Sequence, residues 1–261
     1  TLIINKKGEF LKKVSALDSI GGWMKHLFEY LSGSLKEVTF EVYALEDIKA
    51  ADGESEDYYK KDDLIATITT DETGVAKLTD IPLGKYYVKE KETANGYVLD
   101  STAREIDLTY RDQDTAEVTY SSDWQNNRQK AEVKVLKKEK DSDRVLEGAV
   151  FALCNKEDIV NANGDVILKA DTVIEEQATD KEGKLTFTAD LPIGYTYYVK
   201  ETSPAPGFAT TDQVQEFTFE YDGADKETRS YEFTFEDEPT VVEITKTSLT
   251  DGKELEGAKL E

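Results

Sequence analysis

Apolar and polar residues alternate in short runs along most of the chain, the period-two signature of strands that bury one face and wet the other. Such runs lie at Phe40 to Tyr43, Leu64 to Ile68, Val75 to Leu78, Tyr86 to Glu90, Arg104 to Leu108 and Ala116 to Tyr120. Asp71-Glu72-Thr73-Gly74, Pro82-Leu83-Gly84 and Ala94-Asn95-Gly96 separate them as turns. The pattern predicts an all-β fold of antiparallel sheets packed as a sandwich. It then recurs: Leu146-Glu147-Gly148-Ala149-Val150-Phe151 overlies Leu35-Lys36-Glu37-Val38-Thr39-Phe40 at an offset of 146 − 35 = 111 residues. The same offset carries Glu46-Asp47-Ile48 onto Glu157-Asp158-Ile159, Gly53 onto Gly164 and Glu90 onto Glu201. Two sandwiches are predicted, over 1–129 and 130–239. A third copy is predicted to begin at 240–261, where Val242, Ile244 and Lys246 repeat Val133, Val135 and Lys137, so the native protein is expected to continue past Glu261.

One segment breaks the repeat. The lysines ending the two opening strands, Lys6 and Lys137, are 137 − 6 = 131 residues apart, so the first copy carries 20 extra residues near 10–33. There Ile20, Trp23, Met24, Leu27, Phe28 and Leu31 follow i, i+3, i+4, i+7 spacing between Gly21-Gly22 and Ser32-Gly33-Ser34, which predicts a short amphipathic helix. Such an insertion caps the sandwich or covers an edge strand. Exposed instead, its Trp23, Leu27 and Phe28 form a partner surface.

Strand parity carries the chemistry. Leu2 and Ile4 point one way with Lys6, and Val133 and Val135 with Lys137. Tyr86 and Val88 share a face with Glu90, Tyr197 and Val199 with Glu201. The closing strands put Asn126 on the face of Tyr120 and Trp124, and Asp237 on that of Phe233 and Phe235. The reach from acid to acceptor is the same in both copies, 126 − 90 = 36 and 237 − 201 = 36. Lysine, glutamate and a carboxamide or carboxylate in one apolar interior are costly unless they pair or react. Burial favours the neutral amine and the protonated acid. Lys6 can then attack the Asn126 side chain and expel ammonia, and Lys137 can attack Asp237 and expel water, with Glu90 and Glu201 moving the protons. A solvated or salt-bridged pair is the plainer alternative. Asn127 rivals Asn126 as acceptor, and a bulge would make Lys7 and Lys138 rivals of Lys6 and Lys137.

Charge and composition narrow the function classes. With 55 acids against 32 bases the net charge is −23, which opposes approach to a nucleic-acid backbone. Cys154 is the only cysteine, so no disulfide forms within the chain. His26 is the only histidine, leaving no material for a Ser-His-Asp triad or a histidine-rich zinc site. Each copy offers one buried acid where glycoside hydrolysis needs a facing pair. The acids from Asp52 to Asp57 and at Asp62-Asp63 lack the spacing of a calcium loop and read as a solvated face. The expectation is a protein that is not an enzyme and takes no metal or cofactor. No apolar run approaches a membrane span, so direct membrane insertion is not expected.

The motifs Val-x-Ile-x-Lys, Leu-Glu-Gly-Ala-x-Phe, Asp-x-x-Gly, Pro-x-Gly-x-Tyr-Tyr-Val-Lys-Glu, Pro-Ala-Pro-Gly-Phe and Glu-Asp-x-Pro together resemble the collagen-adhesin B-type domain, also called SpaA-type or prealbumin-like. The resemblance covers nearly the whole chain. It implies a tandem, immunoglobulin-like stalk on a Gram-positive surface adhesin or pilin, outside the cell and anchored to the wall, with Lys–Asn or Lys–Asp isopeptide bonds formed by the domains themselves. Neither a Tyr-Pro-Lys pilin motif nor a Leu-Pro-x-Thr-Gly sorting signal occurs, so an adhesin stalk is expected, with its anchor outside this stretch. The alternative is an adhesin head that uses the aromatic insertion to bind a host or matrix protein or a carbohydrate. The glycine-free stretch Arg128-Gln129-Lys130 predicts a semi-rigid rod, a monomeric segment of a longer chain.

Overall fold

The computed structural model describes residues 1–18, 23–50, 52, 54–242, 246–250 and 252–253. Its strands, in chain order, are β1 (Leu2–Asp18), β2 (Met24–Ser34), β3 (Thr39–Ala44), β4 (Leu64–Thr69), β5 (Val75–Leu78), β6 (Lys85–Glu92), β7 (Arg104–Asp107) and β8 (Tyr120–Gln125). There follow β9 (Lys130–Glu139), β10 (Val150–Asn155), β11 (Ile159–Val160), β12 (Val166–Leu168), β13 (Val173–Ala178), β14 (Lys184–Phe187), β15 (Thr196–Ser203), β16 (Val214–Thr218) and β17 (Thr228–Asp237). The described residues contain no helix.

Each copy is a sandwich of a four-stranded and a three-stranded layer. In the first, β4-β3-β6-β7 packs on β5-β1-β8; in the second, β13-β10-β15-β16 packs on β14-β9-β17. All pairings are antiparallel except one in each copy: the first strand lies parallel to the last, with Lys6 opposite Trp124 and Lys137 opposite Phe235. Alternation fills the two cores. Leu2, Ile4, Phe40, Val42, Tyr86, Val88 and Trp124 are buried in one, and Val133, Val135, Phe151, Tyr197, Val199 and Phe235 in the other.

Two expectations need correction. The segment read as an amphipathic helix is half of a β-hairpin, in which β1 runs on to Asp18 and β2 returns, pairing Lys7 with Ser34, Val14 with Phe28 and Asp18 with Met24. Ile20, Gly21 and Gly22 lie outside the described residues. The spacing from Trp23 to Leu31 fits a helix, but His26 and Phe28 also fit period two, and what decides between them is a distant partner. The hairpin reaches the second sandwich, where β2 lies beside the edge strand β13 with Lys25 opposite Glu175. Phe28 enters the second core; Tyr30 Oη donates to the Asp190 carbonyl at 2.9 Å, and His26 Nδ1 lies 2.8 Å from the Val173 carbonyl. Lys25 Nζ sits 3.3 Å from the buried Glu175 carboxylate. The insertion therefore covers an edge, as one expectation had it, but the edge belongs to the other copy.

The closing strand of the first sandwich was also placed too early. Ala116 to Val118 lie outside any strand, and β8 begins at Tyr120, opposite Leu2 of its parallel partner β1. The stretch expected to start a third copy is described only in part: Val241 and Val242 are exposed, while Glu243, Ile244 and Thr245 and the segment 254–261 lie outside the described residues.

The join between the sandwiches is densely bonded. The Arg128 guanidinium lies over the Tyr30 ring, 3.3 Å from its centroid, and pairs with Asp190 at 2.6 Å. Gln129 is buried; its backbone N–H donates to the Gly96 carbonyl at 2.8 Å and its Nε2 to the Lys226 carbonyl at 2.9 Å.

Candidate functional site

Lys6 and Lys137 are held by their own backbones. Each lysine N–H donates to the carbonyl of a turn glycine, Gly74 at 2.7 Å and Gly183 at 2.8 Å. Those glycines close the Asp-x-x-Gly turns with φ of 75° and 67°. A Cβ on either would stand 2.7 Å from the carbonyl oxygen of the same lysine, so both the left-handed backbone and the close approach require glycine. The sequence marks these glycines only as turn positions; their shared place at the end of an Asp-x-x-Gly motif in both copies was the available signal.

In the first sandwich the lysine side chain enters the core beside the Phe40 ring, 5.6 Å from its centroid. Lys6 Nζ is 2.6 Å from Glu90 Oε2 and 2.6 Å from Asn126 Oδ1. The Asn126 amide nitrogen donates to Glu90 Oε1 and, at 2.7 Å, to Thr93 Oγ1. The two oxygens of one carboxyl group thus touch both the amine and the amide nitrogen. All three residues are buried, and neither the Lys6 nor the Glu90 side chain has solvent exposure. Burial pushes the Lys6 amine below its usual range, against the opposing pull of Glu90.

The second sandwich repeats the arrangement with a carboxylate. Lys137 Nζ donates to Asp237 Oδ1 and lies 3.0 Å from Glu201 Oε1, with the Phe151 ring centroid 5.7 Å away. The three side chains of Lys137, Glu201 and Asp237 are wholly buried. Burial drives the Glu201 carboxyl above its usual range; the Thr211 N–H, donating to Oε2 at 3.1 Å, and the Lys137 amine oppose that shift, and the Asp237 charge adds to it. Asp237 Oδ2 makes no hydrogen bond. Thr211 carried no sequence signal.

The rival residues lie elsewhere. Asn127 is exposed, Lys7 pairs with Asp123 at 2.5 Å on the surface, and Lys138 reaches Asp143 at 3.6 Å. Of the candidate partner surface, Trp23 and Leu27 are each 39% exposed, but Phe28 is 8% exposed and belongs to the second core, so it presents nothing to a partner. Among the described residues no three His, Cys, Asp or Glu side chains converge as metal ligands, and no helix is long and apolar enough to cross a membrane.

The SpaA family, described as a prealbumin-like fold domain, matches residues 31–124 and again 131–234. Among solved structures, that of the Bacillus anthracis TIE protein is similar at 22% identity with a TM-score of 0.53, over 91% of this chain and 33% of its own. This chain therefore spans a third of that structure's length. The shaft pilin SpaA of Lactobacillus rhamnosus GG is similar at 19% identity with a TM-score of 0.34, over 93% of this chain and 98% of its own. The minor pilin GBS52 of Streptococcus agalactiae is similar at 17% identity with a TM-score of 0.32, over 95% of this chain and 99% of its own. No curated protein sequence matches.

Proposed function

The chain belongs to the SpaA family of prealbumin-like domains, and on that premise we propose that it is a structural stalk module of a bacterial cell-surface protein whose two sandwiches each cross-link themselves. Lys6 bonds to Asn126 and Lys137 to Asp237, with Glu90 and Glu201 as proton relays. The observation that carries this reading is the paired convergence, in two separate cores, of a buried lysine, glutamate and amide or acid within bonding reach. Salt bridging alone would explain one such cluster. It does not explain why each spans the first and last strands of its sandwich, nor why Glu90 touches both the attacking and the departing nitrogen.

In the first sandwich the neutral Lys6 amine attacks Asn126 Cγ. Its proton passes to Glu90 Oε2, the other carboxyl oxygen supplies a proton to Nδ2, and ammonia leaves as the new amide closes. In the second, Lys137 Nζ bonds to Asp237 Cγ as a Cγ–O bond breaks, and the oxygen departs as water with two protons, one lost by the amine and one supplied by the raised Glu201 carboxyl. The bonds close loops spanning 120 and 100 residues. Tension entering through β1 or β9 then crosses directly to β8 or β17 without shearing the ladder between them. The module would work outside the cell, on the wall, as a segment of a longer chain that runs on from 240.

Intact mass tests the reading: the folded chain should be lighter than its sequence by about 17 Da for ammonia plus about 18 Da for water, with the linked peptides Lys6–Asn126 and Lys137–Asp237 recovered after proteolysis. An unshifted mass would refute it. A second reading rests on one observation, the exposed hairpin residues Leu17, Trp23, Met24, Leu27 and Leu31, which give the first sandwich an adhesive surface. Loss of attachment in a Trp23→Ala, Leu27→Ala variant of unchanged thermal stability would support it.

A further inference from the structure

The two reactive clusters differ at one neighbouring position, and the difference follows the acceptor. Three residues after Glu90 stands Thr93; three after Glu201 stands Pro204. Thr93 follows the end of β6 and is half-buried, with its hydroxyl 2.7 Å from Asn126 Nδ2. An amide acceptor carries two N–H bonds on its departing nitrogen, and here one goes to Glu90 and the other to Thr93. A carboxyl acceptor has no such nitrogen. At Asp237 the corresponding oxygen, Oδ2, has no hydrogen-bond partner, and proline offers it none.

We propose that Thr93 is a leaving-group residue that adapts the first sandwich to an asparagine acceptor; this rests on the bond formation argued above. With Nδ2 held by Thr93 and Glu90, the carboxamide cannot flip, and Oδ1 stays directed at Lys6 Nζ, 2.6 Å away. As Lys6 Nζ bonds to Cγ, the Cγ–Nδ2 bond breaks and the proton lost by the amine arrives on Nδ2 through Glu90. The nitrogen gains positive character in that step, so the hydrogen bond accepted by Thr93 Oγ1 strengthens where it accelerates the reaction.

An aspartate at 126 reverses the sign. The hydroxyl would then donate to the carboxylate and hold it ionised, the form that does not condense with an amine. Thr93 should therefore help asparagine and hinder aspartate, which a purely packing role cannot do.

The test uses the full chain, made by pulsed translation in vitro, quenched in acid at intervals and read by intact mass and peptide mapping. T93A and T93V should slow the loss of about 17 Da roughly five- to tenfold. T93S should keep the original rate, and the Lys137–Asp237 bond in the same molecules should form unchanged. In an N126D background, T93A should instead speed the loss of water. Equal rates with and without the hydroxyl would overturn the role of Thr93, as would slowing in both acceptor backgrounds, which is the result of misfolding or lost packing. If the unaltered chain loses no mass at all, the premise of self-bonding falls first. Normal bonding in T93V removes Thr93 alone and leaves that premise standing.

Discussion

Replacing Glu201 by glutamine tests the second cluster most sharply, because it preserves shape while removing the acid. Lys137 and Asp237 span 100 residues, and the chain-entropy relation for a cross-link of that size gives about 4.7 kcal/mol of stabilisation near room temperature. For a sandwich of this length, each kcal/mol moves the melting midpoint by about 4 °C, so losing the bond should lower the second transition by roughly 20 °C. The Lys137–Asp237 contact does not involve residue 201 and stays buried in the variant, which keeps the core assembled. Differential scanning calorimetry should therefore show one transition displaced downward, and the mass deficit should shrink by about 18 Da with the other 17 Da untouched. A Glu201→Gln chain that still lacks that water would show that Glu201 is no relay. A chain that regains the water but melts at the original temperature would show that the loop-closure argument does not apply to this fold.

The remaining predictions follow from other parts of the molecule. Because burial lowers the Lys6 pKa, the neutral amine persists below the usual lysine range; bonding at Asn126 should slow as pH falls through that depressed value, seen as a growing unreacted fraction by mass. Glu201 is shifted the other way, so bonding at Asp237 should slow as pH rises through its elevated value and the relay loses its proton; parallel profiles for the two bonds would contradict these roles. Gly183→Ala forces a Cβ to 2.7 Å from the Lys137 carbonyl in a left-handed turn and should displace that lysine, slowing the second bond but not the first in the same mass assay. Phe28→Ala empties a core position worth about 3 to 5 kcal/mol when fully packed; the hairpin should then detach and become cleavable by added protease, and unchanged resistance would contradict its anchoring role.

Parity along single strands was enough to place Lys6, Glu90, Asn126, Lys137, Glu201 and Asp237 on core faces, since each continues an apolar alternation by one step. The repeat supplied what one strand could not, the constant reach from acid to acceptor. Contacts made across the fold were less legible. The Thr211 N–H reaches Glu201 from a loop ten residues on, with no periodicity to announce it. The hairpin failed for a related reason: residues 23–31 suit two periods, and the choice lies with Glu175, Val173 and Asp190, about 150 residues away.

The hairpin also bears on how such a protein can change over generations. Tandem arrays grow and shrink by duplicating or deleting whole repeats, which works when each repeat folds without regard to its neighbour. Here β1 begins in one repeat and, through β2, ends against the edge of the next, with Phe28 seated in a foreign core. Moved beside any other neighbour, the first repeat would expose that ring and strand Lys25 without Glu175. The second carries no such extension, but its core is completed by Phe28 and its edge by β2, so a copy placed behind another neighbour would lack both. The order of the first two repeats is thus inherited as a pair, and recombination should leave its breakpoints outside them.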